Sequence, residues 1–144
     1  MRRSVLDHRE KSTPEHAARL DMTRALIALR KEHPALRSRS KRQMQVTFFP
    51  KQNVLAVRRW SKGREVVAVF NVGDARTTID LRGGEVVSLD DRSREAHRPL
   101  RGRFAPVLHS EEKRFGGSGD RVAGFDGASP VVSIPAHGAV YFTN

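Results

Sequence analysis

Val54 to Asn71 reads VLAVRRWSKGREVVAVFN, and this stretch decides the fold. Val54 to Trp60 and Glu65 to Asn71 are two β-rich runs joined by Ser61-Lys62-Gly63-Arg64, a short glycine-bearing turn, which is the signature of a hairpin. Val66, Val67, Val69 and Phe70 make the second run the most apolar of the chain, so it is expected to be a central strand. Upstream, Met44, Val46 and Phe48 alternate with Gln43, Gln45 and Thr47, the period of a strand with one buried face. The turn Pro50-Lys51-Gln52-Asn53 then returns the chain into the hairpin.

Downstream, Thr77 to Leu81, Val86 to Leu89, Phe104 to His109, Val131 to Ile134 and Ala139 to Phe142 read as further short strands. Turn and loop signals separate them at Gly73-Asp74, Arg82-Gly83-Gly84, Asp90 to Arg103, Glu111 to Asp120 and Pro135-Ala136-His137-Gly138. Before the strands comes one helix. Thr13 stands at its N-cap, with Ser12 as a competing cap; Pro14 suits the first helical position and Glu15 the positive end of the dipole. Ala18, Met22, Ala25, Leu26 and Leu29 form an apolar stripe, and His33-Pro34 ends the helix because the residue before proline is pushed out of helical geometry. The expected fold is all-β: an antiparallel β-sandwich of about seven to nine strands with an N-terminal α-helix. The division expected is a helical segment over 1–36 and a β domain over 37–144.

With 144 residues, 38% of them hydrophobic, the chain has the size and composition of one ordinary globular domain. It has no cysteine, which removes disulfides, thiolate metal sites and cysteine nucleophiles together. The longest apolar runs fall far short of the ~20 residues that span a bilayer. Arg2, Arg3, Asp7 and His8 interrupt the N-terminus before a signal-peptide apolar region develops, so a cytoplasmic protein is expected. The net charge of +11 raises nucleic acid as a partner, but the basic residues are dispersed, and only Arg37-Ser38-Arg39-Ser40-Lys41-Arg42 is dense. Dispersed charge points to a solvated surface rather than a nucleic-acid interface.

Candidate chemistry is sparse. His8, His16, His33, His97, His109 and His137 show no metal-ligand spacing, so no metal or cofactor is expected. Asp90-Asp91 and Glu111-Glu112 are adjacent acids, whereas glycosidic catalysis needs carboxyls facing each other across a bond. Ser110 and Ser118 lack a nucleophile-elbow context. Gly116-Gly117-Ser118-Gly119 is not followed by the Gly-Lys-Ser/Thr of a phosphate cradle and reads as a conformationally demanding loop. Trp60, beside Ser61-Lys62-Gly63, is the candidate for a glycan contact, against the alternative that it packs the sandwich edge.

Three segments in order carry a resemblance. Leu26-Ile27-Ala28-Leu29-Arg30-Lys31-Glu32-His33-Pro34-Ala35-Leu36 resembles the last barrel helix and its exit in the α-amylase family, glycoside hydrolase family 13. Val54 to Arg59 followed by Val67 to Asp74 resembles the hairpin that opens that family's C-terminal β domain. Leu108 to Gly119, with Ser133 to Tyr141, is similar to the finish of the maltooligosyltrehalose trehalohydrolases and, less closely, of glycogen branching enzymes. The resemblance implies a non-catalytic C-terminal domain that packs against a barrel and in some members contacts α-glucan or maltooligosaccharide. No position matches the catalytic motifs, and a barrel of ~250 residues does not fit in the chain. The implied partner is the missing barrel, whether the chain is a fragment, a split subunit or an independent protein. The rival readings are a free-standing carbohydrate-binding module presenting Trp60 and a basic nucleic-acid-binding domain using Arg37 to Arg42.

Overall fold

The structure is a computed structural model that describes residues 13–87 and 99–144. Helix α1 spans Pro14–Glu32, with Thr13 in extended geometry at its N-cap, Glu15 in its first turn and Arg30 and Lys31 in its last, the charge order the helix dipole favours. It stops at His33, which is extended (φ −90°, ψ 120°) as the following proline demands. The same proline then opens a feature the sequence reading lacked, the single-turn helix α2 (Pro34–Arg37). His33 caps it: its Nδ1 accepts the Ala35 N–H at 3.3 Å.

Nine strands follow among the described residues: β1 (Met44–Phe49), β2 (Val54–Ser61), β3 (Arg64–Asn71), β4 (Thr77–Asp80), β5 (Glu85–Val87), β6 (Arg103–His109), β7 (Phe125–Asp126), β8 (Val131–Ile134) and β9 (Ala139–Thr143). Seven form a curled sheet in the order β5-β1-β2-β3-β9-β6-β7, and β4 pairs with β8 in a second, two-stranded sheet. Every named pairing is antiparallel. The expected all-β antiparallel sandwich with an N-terminal helix is therefore what forms, and β3 is its central strand as expected. The two-residue β7 carries too little pattern for a sequence to announce.

The deciding hairpin closes more tightly than its four-residue turn suggested. Ser61 pairs directly with Arg64, leaving a two-residue loop in which Lys62 (φ 52°) and Gly63 (φ 77°) are both left-handed. That is the geometry whose twist matches the flanking strands. The register sets Val54 opposite Asn71, Ala56 opposite Val69, Arg58 opposite Val67 and Trp60 opposite Glu65, all on one face. On that face Phe49, Val54, Ala56, Val67, Val69, Val140 and Phe142 meet Ile79, Val132 and Ile134 of the small sheet in one core. Phe104, Phe125 and Phe142 close one end of it, with Phe104 stacked on Phe125 at 4.8 Å and Phe142 edge-on to Phe125 at 5.1 Å.

The opposite face of the large sheet carries the helices. Ala35 of α2 is fully buried, whereas no residue of α1 is. The stripe residues Met22, Ala25, Leu26 and Leu29 are half-buried over the sandwich, and Ile27 on the far side is 48% exposed. No described helix is long and apolar enough to cross a membrane.

One buried side chain ties the two sheets together. Asn71, 2% exposed at the end of β3, donates through Nδ2 to the carbonyls of Ala75 and Pro135, both at 2.8 Å, and accepts the Gly73 N–H at 2.9 Å. It thus fixes the exit from β3 and the turn between β8 and β9 with one group.

Candidate functional site

Strand alternation places Arg58 and Trp60 inside the sandwich rather than on its surface. Both follow Val54 and Ala56 at period two, so the register that buries those two buries these as well. Trp60 is 7% exposed, and the Arg58 guanidinium lies 5.6 Å from its ring centroid. Arg58 donates to Glu65 from Nε at 2.9 Å and from Nη2 at 2.7 Å, and Nη2 also reaches the Pro99 carbonyl at 3.2 Å. The Arg58 and Glu65 side chains are 8% and 6% exposed, so this is a buried, charge-assisted pair with an aromatic lid. Arg58 forms part of the wall of a cavity of about 260 Å³, which Gln45, Thr47, Leu81, Val86 and Leu100 also line.

The acids read from the sequence serve the loops. Glu112 Oε1 accepts the His109 N–H at 3.0 Å and its Oε2 accepts from Arg114 at 2.7 Å. Burial raises the Glu112 pKa, but these donors outweigh it and hold the carboxyl below its usual range. Glu111 accepts the Ser118 N–H at 3.1 Å through Oε2, and its carbonyl accepts the Gly119 N–H at 2.7 Å. The Gly116-Gly117-Ser118-Gly119 loop is therefore folded over Glu111: Gly116 is left-handed (φ 80°), and a Cβ on Gly117 would sit 2.3 Å from the Glu111 Cα. The backbone N–H groups that a phosphate cradle would present are spent internally: those of Ser118 and Gly119 on Glu111, and those of Gly116 and Gly117 on the carbonyls of Lys113 and Glu112. Asp90-Asp91, His8 and His97 lie outside the described residues.

Ser110 Oγ accepts the Ala139 N–H at 3.0 Å, which pins the end of β6 to the start of β9. His33 is buried, and burial first, then the charge of Arg64, holds its imidazole below the ordinary value. His137 occupies the β8–β9 turn with φ 51° and contacts Asp74 at 3.1 Å. Among the described residues no group of three or more His, Asp or Glu side chains is placed to hold a metal ion. Of the basic run, Arg37, Arg39, Lys41 and Arg42 are all exposed, and the Ser38 carbonyl accepts from Arg59 Nη2.

Sequence reasoning missed the Arg58–Glu65 pair, although its signal was present: in VLAVRRW an arginine falls on the same parity as Val54, Ala56 and Trp60. It also missed Asn71 as a tie between sheets, because its partners Ala75 and Pro135 are carbonyls and leave no mark in the side-chain pattern.

Fold and side chains together define an all-β antiparallel domain with an N-terminal helix, in which Glu111 and Glu112 brace a loop and Glu65 pairs with a buried arginine. Over 89 residues, 62% of its length, the chain is 35% identical to the malto-oligosyltrehalose trehalohydrolase of Brevibacterium helvolum. Its fold is similar to that of the trehalulose synthase MutB from Pseudomonas mesoacidophila MX-45 (TM-score 0.54, 18% identity, 94% of this chain). No family model matches the chain. The matches span 14% of the trehalohydrolase and 19% of the synthase. These likenesses support the resemblance carried by the ordered motifs, that of a C-terminal domain of an α-amylase-family enzyme.

Proposed function

We propose that the chain is the non-catalytic C-terminal β domain of a maltooligosyltrehalose trehalohydrolase-like glucan enzyme, working in the cytoplasm and supporting that enzyme's barrel. The observation that carries this reading is the 35% identity to a trehalohydrolase over a stretch that makes up 14% of it. The engagement of Glu65, Glu111 and Glu112 in structural bonds supports it, since none of the three is held ready for acid/base work. A boundary at 36/37, with α1 as the last helix of a barrel and the strands as the β domain, belongs to the same proposal. The exposed Ile27, on the side of α1 away from the sandwich, then faces the region where such a barrel would sit.

Contact with α-glucan through Trp60 is the finer part of the proposal. It requires the ring, 7% exposed, to become accessible when sugar binds. Trp60 is the sole tryptophan, so its fluorescence reports on that step directly. The test is calorimetry of the chain with maltooligosaccharides and glycogen, a trehalose-release assay on the same sample, and sedimentation with a trehalohydrolase lacking its own matching region. Association with the shortened enzyme, without turnover by the chain alone, is the expected result. Turnover by the isolated chain would sink the non-catalytic reading, and heat on sugar addition with no change in Trp60 emission would move any glucan contact elsewhere.

A further inference from the structure

Where the last two turns of α1 cross the helix-bearing face of the large sheet, they leave a cleft of about 250 Å³ lined by Leu26, Leu29, Arg30, Leu36, Arg59 and Tyr141. Two of these residues are arginines, and no described carboxylate is paired with either. Arg59 cannot turn away. Its place on β2 is fixed by pairing with Met44 on one side and Val66 on the other, and the alternation that buries Arg58 in the core sends Arg59 to the helix side. There its Nη2 donates to the Ser38 carbonyl, while its Nε is buried with no hydrogen-bond partner.

A guanidinium with an unmet donor, facing a second cation across a cleft walled by three leucines, is an arrangement that folding alone does not favour. Burial and, after it, the Arg30 charge lower the Arg59 pKa, which is the electrostatic mark of the same crowding. An anion seated between the two groups relieves the repulsion between them. Arginine suits this role because its planar fork of donors matches an oxyanion bidentately. Two unpaired positive charges are balanced better by a dianion than by a single carboxylate. Arg37, Arg39, Lys41 and Arg42, all exposed, flank the Ser38 anchor in sequence and add to the positive field.

We propose that the cleft between α1 and β2 is a binding site for a phosphoryl oxyanion, held between the guanidiniums of Arg30 and Arg59. The leucine walls leave room for an organic body, so the source is either free phosphate or the phosphoryl end of a small ester. The site needs neither a glucan nor a barrel, and it stands independently of the proposed function.

The experiment is calorimetric titration of the chain with inorganic phosphate, phenyl phosphate and acetate at constant ionic strength. Saturable phosphate binding is expected, with acetate weaker by about tenfold, the scale of one lost charge-assisted bond. Tighter binding of phenyl phosphate identifies an ester as the ligand, and equal binding identifies free phosphate. Arg30→Gln, at an exposed helix position, should weaken phosphate by about tenfold, whereas Lys51→Gln, in the exposed turn between β1 and β2 and outside the cleft lining, should leave it unchanged. The guanidinium resonances of Arg59 in the unmutated chain give a readout that needs no variant, and phosphate should shift them. No saturable binding, acetate equal to phosphate, an equal loss in both variants, or unmoved Arg59 resonances would each overturn the site.

Discussion

Replacing Asn71 with alanine removes one buried amide that serves four backbone groups on two sides of the sandwich, the Ile134 carbonyl at 3.3 Å being the most distant. The carbonyls of Ala75 and Pro135 and the N–H of Gly73 lose their partner inside a site that is 2% exposed. A buried polar group left unmade costs about 1–3 kcal/mol, and local relaxation returns part of the sum, so we expect Asn71→Ala to destabilise the chain by about 3 kcal/mol. With a urea dependence of roughly 2 kcal/mol/M, the unfolding midpoint should fall by about 1.5 M. Trp60 emission follows the transition without an added probe. Asn71→Asp sharpens the test because it keeps the shape and replaces a donor with a carboxylate aimed at two carbonyls. Burial and the facing oxygens raise its folded pKa above the unfolded value of ~3.9. Between those two values the folded state binds more protons than the unfolded state, so stability must fall as pH rises through that window. At neutral pH Asn71→Asp should be less stable than Asn71→Ala and should recover on acidification. A midpoint for Asn71→Ala within about 0.3 M of the parent, or identical pH behaviour of the two variants, would refute the reasoning.

Three further outcomes follow from the same structure. Glu65→Ala leaves the buried Arg58 charge without its partner and should cost ~3–5 kcal/mol, while Arg58→Met with Glu65→Leu should restore most of that loss; thermal unfolding of these two variants decides it, and a double variant no more stable than Glu65→Ala counts against the pair. Gly117→Ala puts a Cβ 2.3 Å from the Glu111 Cα and should cost more than Gly63→Ala, where space is open and only the left-handed φ of 77° opposes the methyl. Equal urea midpoints would mean that the loop over Glu111 yields freely. His33 has a folded pKa below its ordinary value of 6.5, by burial first and Arg64 second, so its contribution is fully present above that value and is lost as pH falls through it toward the folded pKa. His33→Gln should flatten the stability profile below about pH 6.5, and an unchanged slope would remove His33 from the account.

The fold was legible because its deciding features are local. Period-two alternation through Met44 to Trp60, the Lys62-Gly63 turn and the apolar run from Val66 to Phe70 each fix strand, turn or rank in the sheet without reference to distant residues. The His33-Pro34 stop was legible for the same reason. What escaped depended on shorter or longer range. The strand β7 is two residues long, and α2 arises because one proline both ends a helix and starts another. The closing of the core by Phe104, Phe125 and Phe142 joins positions up to 38 residues apart that share no periodicity.

For the candidate site, the sequence showed which residue types were present but not which faces they occupied. Arg58 and Arg59 are neighbours of identical chemistry, and alternation alone gives them opposite fates: one is neutralised by Glu65 in the core, the other is left facing Arg30 under a helix. Assigning those fates requires knowing which face of β2 packs against the small sheet and which against α1, and that is set by the pairing of β4 with β8 far along the chain. Trp60 shows the same dependence. Its place beside a turn made it a sugar-stacking candidate, but it shares the parity of Ala56 and Arg58, so its 7% exposure follows from the register once the inner face is known. The run Gly116 to Gly119 was readable as a demanding loop because its constraint is local, whereas Glu111 and Glu112, legible only as adjacent acids in a loop, turn out to hold it in place. The residues with capacity for binding, Arg30 and Arg59, acquire it only when helix and sheet meet.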